Sequence, residues 1–98
     1  MRVSLIGGLD RLKRHYRDAA RVLGIELQVF NRAEANLATR LGDSLALVLF
    51  TANISHQART LVLATARART IPVYQFHSAG VCTLRRCLAS LPRAAVRL

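Results

Sequence analysis

The chain has 98 residues, 52% of them hydrophobic, and carries fifteen basic against five acidic side chains for a net charge of +10. That length holds one core and no second domain, and the apolar content excludes a disordered chain. No apolar segment approaches the ~20 residues of a membrane-spanning helix, and no signal-type cleavage region follows the short apolar start, so a soluble, cytoplasmic protein is expected.

Arg2 to Ile6 reads as a first strand, stopped by Gly7-Gly8. Asp10 is placed to cap a helix to about Leu23, with Leu12, Tyr16, Ala19, Ala20 and Leu23 as its apolar stripe. Arg11, Lys13, Arg14, Arg17 and Arg21 fall largely off that stripe and read as a solvated face, and Gly24 stops the helix. Ile25 to Phe30 alternates Ile25, Leu27 and Val29 against Glu26, Gln28 and Phe30, the pattern of a half-covered edge strand. A short helix from Asn31 or Arg32 to about Leu41 follows, ended by Gly42-Asp43. The unbroken apolar run Leu45 to Phe50 fits a strand buried on both faces, as in a parallel sheet covered by helices. A polar turn then leads into a helix from about Ser55 to Arg69, with Ala58, Leu61, Val62 and Thr65 inward. Ile71 to Phe76 is a fourth strand, and Pro72 near its start argues for an edge position. The last helix directs Val81, Leu84, Leu88 and Leu91 inward, Pro92 closes it, and Arg93 to Leu98 reads as a frayed tail.

Strands alternating with helices at this spacing predict an α/β fold: three layers around a four-stranded parallel sheet in the order 2-1-3-4. Residues 1–98 are expected to form one domain, with an ordered core over about 2–91 and a tail over 92–98. The order creates a switch point between the first and third strands, where ligands bind in open α/β sheets. Gly7-Gly8-Leu9-Asp10, Thr51 to His56, and His77 to Gly80 converge there, each opening a helix whose free N–H groups suit an anion. The expected ligand-binding residues are Gly7, Gly8, Thr51, Asn53, Ser55, His56, His77, Ser78 and Gly80, with the amides of Gly8, Ser55 and Gly80 as donors. Several have plainer roles available: the glycines as a tight strand-to-helix turn, Ser55 as an N-cap, Thr51 and Asn53 as turn residues.

Neither GxGxxG nor GxxxxGK[ST] is present, so no cofactor is named. His56, His77 and Cys82 would make a metal site only by converging within ~2.0–2.3 Å of one ion, which their spacing does not impose, so no metal is expected. Ser55 and His56 are neighbours that point apart, with no acid to orient the histidine. Asp10 is the only carboxylate near the crevice, so a binding domain is expected rather than an enzyme. Cys82 and Cys87, five residues apart on one predicted helix, lie roughly 140° apart around its axis and cannot pair within it. Cys82, in the first turn, is the candidate redox residue.

Gly7-Gly8 after the first strand, Thr51-x-x-x-Ser55-His56 after the third, Ile71-Pro72-Val73, and Ser78-x-Gly80-Val81 leading to Leu84 resemble the bacterial domain-of-unknown-function family 2325 (DUF2325). The resemblance runs from Arg2 to about Leu91 and implies a small Rossmann-like or flavodoxin-like α/β fold with no established activity. Many members of that family have a cysteine near the position of Asn53, and its absence here speaks against redox or metal chemistry centred there.

The leading expectation is a non-enzymatic domain that takes a small anionic ligand at the carboxyl edge of the sheet, with arginines steering its approach. Two alternatives stand beside it: a basic nucleic-acid-binding or regulatory protein using its helices on phosphate, and a Cys/His redox or metal sensor. An arginine-rich proteome would produce the same preponderance of Arg over Lys, though not the scarcity of acids. A homodimer is expected, since a second copy would cover an edge of so small a sheet.

Overall fold

The computed structural model describes residues 1–30 and 36–91. Four strands, β1 (Arg2–Ile6), β2 (Glu26–Phe30), β3 (Ala46–Phe50) and β4 (Val73–Phe76), form a parallel sheet in the order β2-β1-β3-β4. Between and after them come α1 (Lys13–Val22), α2 (Leu37–Leu41), α3 (His56–Arg69) and α4 (Val81–Ser90). Fold class and strand order are those the hydrophobic pattern predicts. Among the described residues, no helix is long and apolar enough to cross a membrane.

Side chains alternate across each strand, so the sheet divides its apolar residues between two cores. On one face Val3, Leu5, Leu27, Val29, Val48 and Phe50 pack with Tyr16 and Ala20 of α1 and with Leu84, Cys87 and Leu88 of α4. On the other, Ile6, Phe30, Leu47 and Leu49 pack with Leu37 and Leu41 of α2 and with Val62 and Ala66 of α3. Every residue of β3 is buried, as the run's lack of alternation requires. The first core holds α1 and α4, and the second holds α2 and α3.

Several expected boundaries shift. Leu45, read as the first residue of the third strand, is 46% exposed and precedes it. Its amide donates to the Arg2 carbonyl at 2.8 Å, so it still pairs through the backbone while its side chain faces outward. β4 begins at Val73: Pro72 has no N–H to give, but its carbonyl accepts from Leu47 at 2.9 Å. The sheet order makes β4 an edge strand, where a proline is tolerated. β2 is the other edge, with Glu26 exposed, although Phe30 reaches the second core. The expected start of α2 at Asn31 or Arg32 and the tail from Pro92 onward lie outside the described residues.

Asp10 does not cap α1. A 3-10 turn at Asp10–Leu12 intervenes, Leu12 takes the cap position, and no side chain accepts there. A polar pair not expected from the sequence lies within the fold: the hydroxyls of Ser4 and Ser44 are 2.6 Å apart and buried, so each satisfies the other in an otherwise apolar setting.

Replacing Leu49, fully buried in β3, by Ala is expected to lower unfolding free energy by about 2–5 kcal/mol through lost burial and the cavity left behind. Leu45→Ala, four residues earlier in the same apolar run, is expected to cost about 0.5 kcal/mol or less. Urea unfolding midpoints of the two variants check the contrast.

Candidate functional site at the carboxyl edge of the sheet

β1 ends at a pair of glycines because two neighbours press against the chain there. Gly7 and Gly8 have φ of 99° and 90°, in the left-handed region. A Cβ on Gly7 would lie 2.5 Å from the Phe50 carbonyl oxygen and 2.7 Å from Cγ2 of Ile54. One on Gly8 would lie 2.9 Å from the Tyr16 ring. The glycines therefore let the first loop close onto the end of β3 and onto α1.

Tyr16 occupies the crevice that the topology creates. Its ring is buried against Phe50, with centroids 5.9 Å apart. Its hydroxyl accepts from the Leu9 amide at 3.2 Å and donates to the Ala79 carbonyl at 2.5 Å. The first and fourth loops are thus tied to each other through one phenol. Sequence periodicity places Tyr16 on the apolar stripe of α1, and nothing in the spacing reveals this polar use of its ring tip.

The loop after β3 is built as a helix start. Ser55 sits at the N-cap of α3, and its hydroxyl accepts from the Ala58 amide at 3.0 Å. Thr51 donates to the Phe76 carbonyl over a long 3.5 Å, which links the ends of β3 and β4. Asn53, Ser55 and His56 are exposed. In the fourth loop His77 and Ser78 are exposed, and the Ser78 hydroxyl accepts from the Gly80 amide at 3.2 Å. That amide is thereby engaged within the loop.

A cleft lies beside this convergence, between the end of β4 and α4. It encloses about 550 Å³ and is lined by Phe76, His77, Ser78, Thr83, Arg86, Cys87 and Ser90. Of the nine residues expected to bind ligand, His77 and Ser78 line it, whereas Gly7, Gly8, Thr51, Asn53, Ser55, His56 and Gly80 do not. Thr83, Arg86, Cys87 and Ser90 complete the wall. They were legible in principle, because their spacing of three, four and seven residues from Thr83 puts them on one face of a helix.

The cleft is cationic at its rim and apolar at its floor. Arg86 supplies a permanent positive charge, Ser78, Thr83 and Ser90 supply hydroxyls, and Phe76 presents a half-buried ring that meets Phe50 edge-on at 6.5 Å. Cys87 is nearly buried, and loss of hydration pushes its thiol above the ordinary value, which keeps it protonated and a poor nucleophile. Cys82 is exposed in the first turn of α4, outside the cleft lining, and both thiols are free. Among the described residues no group of three His, Cys, Asp or Glu side chains could hold a metal ion, so His56, His77 and Cys82 do not assemble one.

A family model described as an uncharacterized protein conserved in bacteria (DUF2325) matches residues 2–91. No curated protein and no solved structure matches the chain.

Tyr16→Phe is expected to lower stability by about 1–3 kcal/mol, because the Leu9 amide and the Ala79 carbonyl both lose their partner; denaturant unfolding measures it. A chromogenic disulfide reagent is expected to titrate one thiol in the native protein and two after unfolding, with the native signal absent in Cys82→Ser. The neutral Cys87 thiol contributes stability that is fully present below its ordinary pKa of 9.0 and is lost as pH rises through the raised folded value. Wild type is accordingly expected to lose more stability than Cys87→Ala over that alkaline range, as read from urea midpoints.

Proposed function

The chain belongs to the DUF2325 family, and from that premise we propose that it is a binding domain for a small anionic molecule held in the cleft between β4 and α4. The observation that carries the reading is the lining itself: the Arg86 guanidinium and three hydroxyls surround a floor made by Phe76 and Cys87. Guanidinium and hydroxyl groups recognise phosphate or carboxylate oxygens directionally, and an apolar floor accommodates the rest of the molecule. The lining includes no carboxylate that would repel an anion. His77 adds a donor at the mouth but has no acid among the lining residues to orient it for proton transfer, which favours binding over turnover.

The convergence of loops at the carboxyl edge supports the same placement. Tyr16 bridges Leu9 and Ala79 at the switch point, so the space for a ligand moves outward along β4 to where α4 leaves the sheet edge open.

Native mass spectrometry of the protein as purified, compared with its denatured mass, tests the proposal. An added mass of small-molecule size that survives moderate salt in the wild type and is reduced about tenfold in occupancy in Arg86→Ala, matching the loss of one charged hydrogen-bonding group, is the expected result. An added mass unaffected by Arg86→Ala, or a bare protein at every salt concentration, would overturn it.

A further inference from the structure

The arginines of α1 form an ordered surface of their own, away from the cleft. Arg14, Arg17 and Arg21 succeed one another at three and four residues down one side of α1, Arg11 precedes them in the 3-10 turn, and all four are exposed. The row is about 15 Å long at helical rise. Lys13 adds to it, and Arg85 of α4 lies across the groove between the two helices, beside His15 and Asp18. Among the described residues, Arg11, Lys13, Arg14 and Arg17 have no carboxylate partner; only Arg21 is paired, with Asp18 at 3.4 Å. Glu26 and Asp43 are drawn to Arg2 at the opposite, amino edge of the sheet. Asp10 and Asp18 line the same surface, so its five cations outnumber its carboxylates by three.

We infer that this face of α1 docks on the phosphate backbone of double-stranded nucleic acid without reading its sequence. One strand of a duplex places a charge every ~3.4 Å along the axis, so a row of about 15 Å spans about four or five phosphates. Arginine matches phosphate with two parallel N–H donors. An anionic lipid surface fits less well, since a membrane-binding helix turns large apolar side chains outward along with its cations. The apolar residues of α1, Tyr16, Ala19 and Ala20, are buried against the sheet, and Val22 at its end is its one large exposed apolar side chain. Single strands need aromatic platforms for base stacking, and the exposed face of α1 has no Phe, Tyr or Trp. The surface is separate from the proposed cleft because Arg85 and Arg86 diverge, the first towards α1 and the second into the cleft.

Fluorescence anisotropy of a labelled random-sequence DNA duplex, titrated with the full chain across a range of salt, tests the inference. Log affinity is expected to fall with log salt at a slope of about −4, as four phosphate contacts release their counterions. Arg14→Gln with Arg17→Gln should reduce the magnitude of that slope by about two and weaken binding at least tenfold at low salt. Both side chains are exposed and free of ion pairs among the described residues, so the fold tolerates the change. Arg59→Gln with Arg67→Gln removes the same charge from α3, on the other side of the sheet, and should leave the slope within about one half of wild type. Arg86→Ala should retain duplex binding, which separates this surface from the ligand cleft. Equal losses from the α1 and α3 pairs would overturn the inference in favour of diffuse net charge. Undiminished duplex binding by the α1 variant would overturn it, as would stronger binding to phosphatidylserine vesicles or to a single strand than to the duplex.

Discussion

The constraint on which the rest of the structure depends is the burial of β3 on both of its faces. Five consecutive apolar residues, Ala46 to Phe50, point alternately to opposite sides of the sheet. A strand of this kind is stable only if each side is covered, and each fully buried large side chain then contributes about 1.5–3 kcal/mol. That requirement places β3 inside the sheet and calls for helices both above and below. The parallel pairing of β1 with β3, which leaves β2 and β4 at the edges, meets it. The three loops at the carboxyl edge are brought together by the same requirement, since parallel strands all end on the same side.

How that edge is filled decides where a ligand could be accommodated. Strand order alone marks the gap between β1 and β3. In this chain the gap is closed by small distances: the glycine pair lets the backbone approach Phe50 and Tyr16, and the Tyr16 hydroxyl spans Leu9 to Ala79. A large side chain with a polar tip suits such a position, because the ring fills the space and the hydroxyl satisfies backbone groups that would otherwise be buried unpaired. What remains open is the flank of β4, where the sheet has no further strand.

The fold was legible in the sequence because its determinants are periodic. The alternation in Leu27 and Val29, the unbroken run before Phe50 and the four-residue rhythm of Leu84 and Leu88 each report local burial directly. Boundaries were less legible wherever backbone pairing and side-chain burial part company, as at Leu45, whose amide pairs while its side chain is exposed. The cleft was legible only in part. His77 and Ser78 follow from their place after a strand; helical spacing groups Arg86 and Ser90 with Thr83 on one face of α4, but that this face lines a cleft beside β4 is a tertiary matter. Tyr16 illustrates the same limit from the other direction: its ring obeys the pattern, and its hydroxyl finds partners seven and sixty-three residues away.

The parallel arrangement also governs how the chain must assemble. Arg2 pairs with Glu26, and Leu47 with Val73, but Val3 pairs with Ala46 across an entire intervening helix, edge strand and second helix. Closing a loop costs entropy that grows with its length, and topologies rich in such distant pairings fold more slowly than helical bundles of equal size. β1 can join β2 through α1 as soon as that unit has left the ribosome, and β3 can then join β1, yet neither core is complete until α3, β4 and α4 have followed. Until then the most apolar stretch of the chain is only partly covered, since α3 and α4 close its two faces.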